Sequence, residues 1–385
     1  LQKLAGLERK KVLDELAEVQ EIIEKLKEIL GREKKVRGII KDELTEIKAK
    51  YGDERRTRLI KHGLKDFNPE DLIPDEESVL VLTKGGYIKR TNPDEYRQQK
   101  RGGVGVVDLD TKEEDFITHL VYANAHNDLL FFTDKGKAYQ IKMYDLPEGK
   151  RATRGKSVMN FLSLSEGEKI TSILPMPKNK KEADGLALMM VTKNGTGKKS
   201  SAKHFHDVRR SGLIAITLED KDELISASFV SKSDTVVIAT REGQSIRFEA
   251  EDVREMGRNA AGVRIIKLGK DDAVISADVV AKDAKNPKLF VMGENGYGKQ
   301  TKLDEYKVQN RGGSGILTMN VTEKTGPLIA AKVVTEDIKE MVAMSKKSQV
   351  IRVDLNEIPT LGRSTQGVRV MKLRDGDSLA SLICL

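Results

Sequence analysis

The sequence predicts a mainly β protein, a six-bladed propeller-like disc, preceded by an antiparallel α-helical coiled coil. Two observations carry this prediction. Six copies of a unit of about 50 residues follow one another through residues 78–385, and each copy repeats two landmarks at a near-constant interval. Such a period, with several short strands per copy, is typical of radial β arrays. Helical apolar spacing is confined to residues 1–60, which predicts the coiled coil.

The helical segment has a seam of apolar residues that step by four and three along the chain: Val12, Leu16, Val19, Ile23, Leu26 and Leu30. Gly31 follows as a helix end should, and the spacing resumes from Val36 to Ile47. One face of a globular bundle is the alternative, but no further helices follow to complete it. We therefore expect a helical arm over residues 1–60, a linker over 61–77 and the disc over 78–385.

The first landmark is an apolar strand that runs into a tight turn. The turns end at Gly86, Gly136, Gly195, Gly243, Gly296 and Ser348. Glycine after a polar residue is typical of hairpin turns, because such turns need positive φ. These turns predict one β-hairpin per repeat.

The second landmark is a glycine followed by an apolar run, at Gly105, Gly155, Gly212, Gly262, Gly315 and Gly367. It lies 19 residues beyond the first landmark in five repeats and 17 in the third. This regularity predicts six equivalent blades closed into a disc, which leaves few exposed strand edges. An open β-solenoid is the alternative.

Arginine recurs just before the second landmark. Five repeats place it four residues ahead, and the third has two arginines closer to its glycine: Arg101, Arg151, Arg209, Arg210, Arg258, Arg311 and Arg363. A scaffold needs no arginine at one fixed offset, whereas the planar guanidinium fork suits phosphate. Six such groups around a rim predict a curved cationic track for a polyanion.

A second polar series lies four residues past each hairpin turn. It contains the further rim candidates Arg90, Lys199, Arg247 and Arg352, with Gln140 and Gln300 in the other two repeats. Polar residues are common on the outer face of any hairpin. An ordinary solvated surface therefore explains this series as well as binding does.

The amino-acid composition limits the possible partners and sites. The 385 residues include 68 Lys+Arg and 60 Asp+Glu, a net charge of +8 that fits a polyanion partner. Tryptophan is absent and aromatics make up 4%, so base stacking is not the expected binding mode. A single Cys384 excludes a disulfide framework and a cysteine zinc site. We expect a cytoplasmic protein without a membrane span, and a piece of a longer chain, since it begins at Leu1 within a helix.

Two nucleotide-like motifs and a histidine pair do not predict sites. "GTGKKSS" and "GYGKQT" resemble phosphate-binding loops but lie in the hairpin register and lack a following helix. His204 and His206 alternate as on a strand and lack a third ligand nearby. We expect no nucleotide site and no metal site at these residues. A DNA-binding module, a protein-interaction scaffold and a catalytic propeller remain as function classes.

The loop Gln99–Gly105, "QKRGGVG", combines donors, charge and glycines that let backbone N–H groups approach a phosphate. It resembles the seven-residue box Q-(R/K)-R-G-G-(R/K)-G of the C-terminal domain of bacterial DNA gyrase A subunits. The matching residues are Gln99, Lys100, Arg101, Gly102, Gly103 and Gly105; Val104 departs from the pattern. "QNRGGSG", Gln309 to Gly315, is a weaker copy. "LQKLAGLERKKVLDEL" and "YGDERRT" resemble the coiled-coil arm of the same subunits.

The resemblance implies a six-bladed β-pinwheel whose neighbouring blades exchange strands and whose basic rim bends and wraps double-stranded DNA. It further implies a set of partners: a homodimer that includes the rest of the A subunit, and the B subunit in an A2B2 complex. ATP and Mg²⁺ would be bound elsewhere in that complex, and the resemblance implies no catalytic residue in this chain. Val104 leaves one alternative, the paralogous topoisomerase IV A subunit, because its disc has a degraded or missing box.

Overall fold

The computed structural model describes residues 2–53, 57, 69–93, 115, 117–150, 153–178, 180–347 and 349–384. The chain divides into two compact units, Leu1–Phe67 and Asn68–Leu385. None of the helices in the described ranges is long and apolar enough to cross a membrane.

Within its described residues, the first unit contains two helices, α1 (Gln2–Leu30) and α2 (Glu33–Tyr51). The amide of Gly31 donates to the carbonyl of Lys27 at 2.9 Å and ends α1 where the sequence predicts. The six seam residues of α1 remain exposed, from 42% at Ile23 to 77% at Leu30. The two helices are therefore confirmed, while their pairing into a coiled coil stays a prediction.

The second unit consists of six β-sheets, called blades 1 to 6, each built on one repeat. In every blade the last strand of the repeat is innermost, followed by its first and second strands. In that order the strands are β3 (Ile117–Asn124), β1 (Glu77–Thr83) and β2 (Tyr87–Thr91) in blade 1; β7 (Ile170–Pro175), β4 (Asp128–Thr133) and β5 (Lys137–Lys142) in blade 2; and β11 (Leu224–Val230), β8 (Ala187–Thr192) and β9 (Thr196–Ser201) in blade 3.

Blades 4 to 6 repeat this order. They contain β15 (Val274–Val280), β12 (Thr235–Thr240) and β13 (Gln244–Glu249); β19 (Leu328–Val334), β16 (Lys288–Gly293) and β17 (Tyr297–Lys302); and β23 (Leu379–Cys384), β20 (Glu340–Ser345) and β21 (Val350–Asp354). The first strands of blades 3 and 4 are buried along their whole length. This double-sided burial explains why the first landmark is a continuous apolar run.

A short outer strand completes blades 1 to 5, and it comes from the following repeat. These strands are β6 (Lys156–Ser157), β10 (Leu213–Ile214), β14 (Val263–Arg264), β18 (Ile316–Leu317) and β22 (Val368–Arg369). The strand exchange implied by the resemblance is therefore confirmed. Blade 6 has three strands within the described residues, so four strands per blade is confirmed for five blades.

The ring closes between blade 6 and blade 1. The hydroxyl of Ser381 on β23 donates to the carbonyl of Ile117 on β3 at 3.3 Å. Ile383 packs against Val79, Val81 and Ile117 of blade 1. The six-bladed disc is therefore confirmed, and the open solenoid is wrong.

The landmark glycines occupy equivalent places. The hairpin glycines Gly86, Gly136, Gly195, Gly243 and Gly296 have φ between 71° and 84°. The second-landmark glycines also have positive φ, and each is pressed against the preceding blade: a Cβ would lie 2.5–2.6 Å from an atom there at Gly155, Gly212, Gly262, Gly315 and Gly367. Gly105 and Ser348 lie outside the described residues.

Part of the predicted linker lies on the disc. A short 3₁₀ turn spans Pro69–Leu72, and Glu70 pairs with Lys142 of β5 at 2.9 Å. A ring nitrogen of His126 lies 2.7 Å from the carbonyl oxygen of Ile73. Residues 69–76 thus lie against the edge of blade 2 just before the chain enters blade 1 at Glu77.

Candidate nucleic-acid interface

The predicted arginine loops lie just before the outer strands, at the outer edge of the disc. Arg209, Arg210, Arg258 and Arg311 are exposed there, and Arg363 is half-buried. Arg210 is paired with Asp145 at 2.6 Å. Arg151 and the loop Gln99–Gly105 lie outside the described residues, so their positions stay predictions.

Two of these arginines also bind the main chain of the preceding repeat. Arg311 donates from Nε to the carbonyl of Asp252 at 2.8 Å and from a terminal nitrogen to that of Arg264 at 2.9 Å. Arg363 donates to the carbonyl of Leu317 at 3.2 Å. These guanidinium groups therefore fix the loop on the outer strand as well as adding charge to the rim.

The second polar series joins neighbouring blades. Gln140, Lys199 and Gln300 donate to main-chain carbonyls of the next repeat: those of His206, Ala250, and both Leu355 and Ile358. Lys199 is only 6% exposed, so the structure does not bring this rim candidate to the surface. Burial also lowers its pKa.

The arginines of this series are engaged in the same way, with one exception. Arg90 donates to the carbonyl of Leu146 at 3.1 Å, and Arg247 to that of Leu303 at 3.3 Å. Arg352 instead pairs with Glu340 inside its own blade. The alternative of an ordinary solvated face is therefore excluded for Lys199 and Gln300, because these buried side chains are blade-to-blade latches.

Three buried lysines beneath the loops were not predicted from the sequence. Lys89, Lys198 and Lys299 are at most 1% exposed. Lys89 Nζ donates to the carbonyls of Lys150 and Thr153 at 2.9 and 2.8 Å, which flank Arg151. Lys198 donates to the carbonyls of Ala215, at 2.7 Å, and Arg258. Each ammonium group thus donates hydrogen bonds to the main chain of an arginine loop that belongs to the next repeat.

Burial of a charged lysine beneath the arginine loop is electrostatically unfavourable. Burial lowers the pKa of Lys198 to about 8, and the nearby Arg258 acts in the same direction. Burial likewise lowers the pKa of Lys299 to about 8, with Glu305 acting in the opposite direction and Arg363 in the same one. Desolvation disfavours the charged form, whereas hydrogen bonds from the ammonium group to carbonyl acceptors favour it.

Cations on and just beyond the outer strands were also missed. Lys156, Arg264, Lys267, Arg369 and Lys372 are all exposed. The sequence does contain a pattern that predicts the last four, because "GVRIIKL" from Gly262 and "GVRVMKL" from Gly367 are near-copies in the fourth and sixth repeats. Together with the arginine loops they form what we call the basic rim.

The two nucleotide-like motifs form hairpins, as their repeat register predicts. "GTGKKSS" and "GYGKQT" form the hairpins that lead into β9 and β17. His204 lies in a 3₁₀ turn, Ala202–Phe205, and His206 follows it beside Asp184, so their strand assignment was wrong. No cluster of three possible metal ligands occurs within the described ranges.

A family model for the DNA gyrase C-terminal domain, a β-propeller, matches six segments: residues 77–124, 127–175, 187–231, 234–281, 287–335 and 339–385. These segments coincide with the six blades. The chain belongs to the DNA gyrase A C-terminal domain family.

Relatives and solved structures agree with this membership. The DNA gyrase A protein of Lawsonia intracellularis is 42% identical over 376 residues, and that of Mycolicibacterium smegmatis is 40% identical over 384. The chain is covered to 98% and 99%, but spans only 45% of the length of each relative. A solved DNA gyrase A C-terminal domain matches with a TM-score of 0.67 and 29% identity, over 80% of this chain and 100% of the other.

A topoisomerase IV C-terminal domain shares the fold alone. It matches with a TM-score of 0.66 at 22% identity, over 81% of this chain and 94% of the other. The gyrase A relatives, in contrast, match nearly the whole chain. They support the resemblance to the gyrase family that was first noted at the loop Gln99–Gly105.

Proposed function

We propose that the disc binds, bends and wraps double-stranded DNA around its basic rim, as the C-terminal part of a type IIA topoisomerase. The observation that carries this proposal is the exposure of arginine and lysine on the loops and outer strands, at the outer edge of a closed ring. Arginine and lysine are the residues that neutralise phosphates. A convex cationic edge favours a path in which the duplex curves around the disc.

The energetics explain why the contacts are spread around a ring. The persistence length of duplex DNA is about 150 bp, so a tight bend costs several kcal/mol. Phosphate contacts spread around the ring together offset that cost. Each phosphate contact positions the duplex without reading its bases, so binding should be nearly independent of sequence.

In the whole enzyme, the wrap would present a DNA segment for passage through a double-strand break and set the sign of supercoiling. We propose that this chain serves ATP-dependent negative supercoiling by DNA gyrase, in an A2B2 complex in the bacterial cytoplasm. ATP and Mg²⁺ would act in other parts of that complex, and this chain alone would cleave nothing. The relatives named for the gyrase A protein support gyrase over topoisomerase IV.

Two measurements test the proposal. The slope of log K against log salt for duplex DNA should be roughly −5 to −11 if each blade contacts one or two phosphates. A slope near zero would favour a protein-interaction scaffold, in which an apolar partner docks on one face. A topology assay on the enzyme reassembled with its B subunit should show negative supercoiling with ATP and relaxation without it.

A further inference from the structure

The charge of the outer strands alternates around the disc. Over the eight residues after each second-landmark glycine, the net charge is +1, +3 and +2 in the second, fourth and sixth repeats. The third and fifth repeats carry −2 and −1. The sign therefore changes at every blade boundary from the second repeat to the sixth.

Strand exchange places the positive segments on alternate blades. The outer strands of the second, fourth and sixth repeats lie on blades 1, 3 and 5. The neutral outer strands lie on blades 2 and 4, where Ile214 is 53% exposed and has no cation beside it on the strand. The cations of the outer strands are therefore concentrated on blades 1, 3 and 5.

The buried lysines follow the same alternation. Blades 1, 3 and 5 contain Lys89, Lys198 and Lys299 beneath the arginine loop, whereas blades 2 and 4 have Tyr139 and Ile246 at the equivalent place. A buried ammonium group bonded to loop carbonyls fixes the loop before any ligand arrives. Fixing a binding loop in advance reduces the ordering cost of binding.

Two independent features thus mark the same three blades. We propose that the duplex contacts the disc at three discrete phosphate sites, on blades 1, 3 and 5, and passes over blades 2 and 4 without strong contact. This inference rests on the proposed DNA-wrapping function. In a six-bladed ring the three sites are about 120° apart, so the path is held at three points rather than along an even track. Lys89, Lys198 and Lys299 are positioning residues, which act through the loop above them.

A matched pair of arginines tests the alternation. Arg209 and Arg258 are both exposed and occupy equivalent loops, but the loop of Arg209 lies over blade 2 and that of Arg258 over blade 3. With the full chain and a duplex of random sequence, Arg258→Ala should make the salt slope shallower by about one and weaken binding several-fold. Arg209→Ala should weaken binding and flatten the slope clearly less, because its loop lies over blade 2.

A second pair of variants tests the outer strand. Arg264→Leu with Lys267→Asn copies the neutral pattern of the fifth repeat and should make the slope shallower by about two. The control, Lys282→Ser with Lys285→Ser, removes the same charge from an exposed loop between an inner and a first strand. It should leave the slope unchanged.

The positioning role is tested with Lys198→Met, which removes no exposed charge. A merely structural defect would lower the amount of folded protein and leave the slope of the folded fraction unchanged. A positioning role predicts a shallower slope, because the loop of Arg258 loses its fixed conformation. A Lys198→Met slope equal to that of the parent protein overturns the positioning role.

The outcomes separate this inference from the function on which it rests. A parent protein whose binding does not depend on salt contradicts DNA wrapping itself. A steep parent slope with equal losses from Arg209→Ala and Arg258→Ala supports DNA binding but overturns the three-site arrangement in favour of an even track. Unequal losses in the expected direction support both.

Discussion

The ammonium group of Lys299, buried in blade 5, lies 2.6 Å from the carbonyl oxygen of Arg363 on the adjoining loop. It also donates to the carbonyl of Gly362 at 2.6 Å and to the hydroxyl of Thr365 at 3.0 Å. Three acceptors saturate the three N–H bonds of a lysine. The core of one blade thus determines the conformation of a rim loop that belongs to the next repeat.

This arrangement predicts a pH dependence of stability. The pKa of Lys198 and that of Lys299 are each lowered to about 8, below the ordinary value of 10.5. Above pH 8 the native chain releases these protons while the unfolded chain keeps them, so the free energy of unfolding should rise with pH. Between pH 7 and 9 we expect a gain on the order of 1 kcal/mol per lysine, measured by urea unfolding.

The matched variants separate this effect from other titrations. Lys198→Met combined with Lys299→Met should remove most of the rise, because neither side chain then binds a proton in either state, while Lys199, whose pKa burial also lowers, keeps its share. Lys302→Met, at an exposed position on β17, should keep it. An unfolding free energy that does not change from pH 7 to 9 in the parent protein would contradict the prediction.

The blade-to-blade latches should affect stability and not DNA contact. Gln300 is 3% exposed and donates to the carbonyls of Leu355 and Ile358. Gln300→Ala leaves both buried acceptors without this donor, which should cost about 1–3 kcal/mol of unfolding free energy. Its salt slope for DNA should equal that of the parent protein, since the amide does not reach the rim. A change in slope without loss of stability would assign Gln300 to the interface instead.

The second-landmark glycines should be far less tolerant than glycines in open turns. Gly367 has φ of 78°, and a Cβ there would lie 2.5 Å from the carbonyl oxygen of Gly298. Gly167 has φ of 73°, but a Cβ would meet no atom within 4 Å. Gly167→Ala should cost about 1 kcal/mol from the backbone alone, and Gly367→Ala clearly more. Equal losses in thermal unfolding would mean that close approach between blades contributes nothing.

The sequence predicts the disc because its two landmarks are local and chemically strict. Gly136 and Gly262 both need positive φ, and only glycine adopts it without strain. The blade that each latch side chain contacts could not be predicted from such a local pattern. A strand period of two assigns Lys199 or Gln300 to a face, but it does not say that the facing surface belongs to the next repeat.

The buried lysines were missed for a different reason. Lysine is almost never fully buried. The sequence alone therefore assigns Lys89, Lys198 and Lys299 to the surface, because it does not show their carbonyl acceptors. Those acceptors lie far away in the chain: Lys299 and Arg363 are separated by 64 positions. Strand exchange creates this proximity, and the strand exchange itself was implied by the family resemblance and not by the repeat period.

The last prediction concerns the loop Gln99–Gly105, whose matched control is Gln309–Gly315. Both combine glutamine, arginine and glycines in the same repeat register. Composition alone would therefore predict that the two loops contribute equally to DNA affinity. We expect the first to hold the DNA where the wrap returns toward blade 1. Its replacement by alanines should therefore leave much of the affinity but abolish bending, measured by energy transfer between the ends of a labelled duplex.

In the reassembled enzyme, that replacement should preserve relaxation of supercoils and prevent the introduction of negative supercoils. Replacing Gln309–Gly315 removes Arg311, which fixes its loop on the carbonyls of Asp252 and Arg264. This second replacement should reduce stability, leave most of the DNA affinity and let supercoiling survive. Equal loss of supercoiling from both replacements would deny the first loop a special role, and would shift the assignment of this chain toward topoisomerase IV.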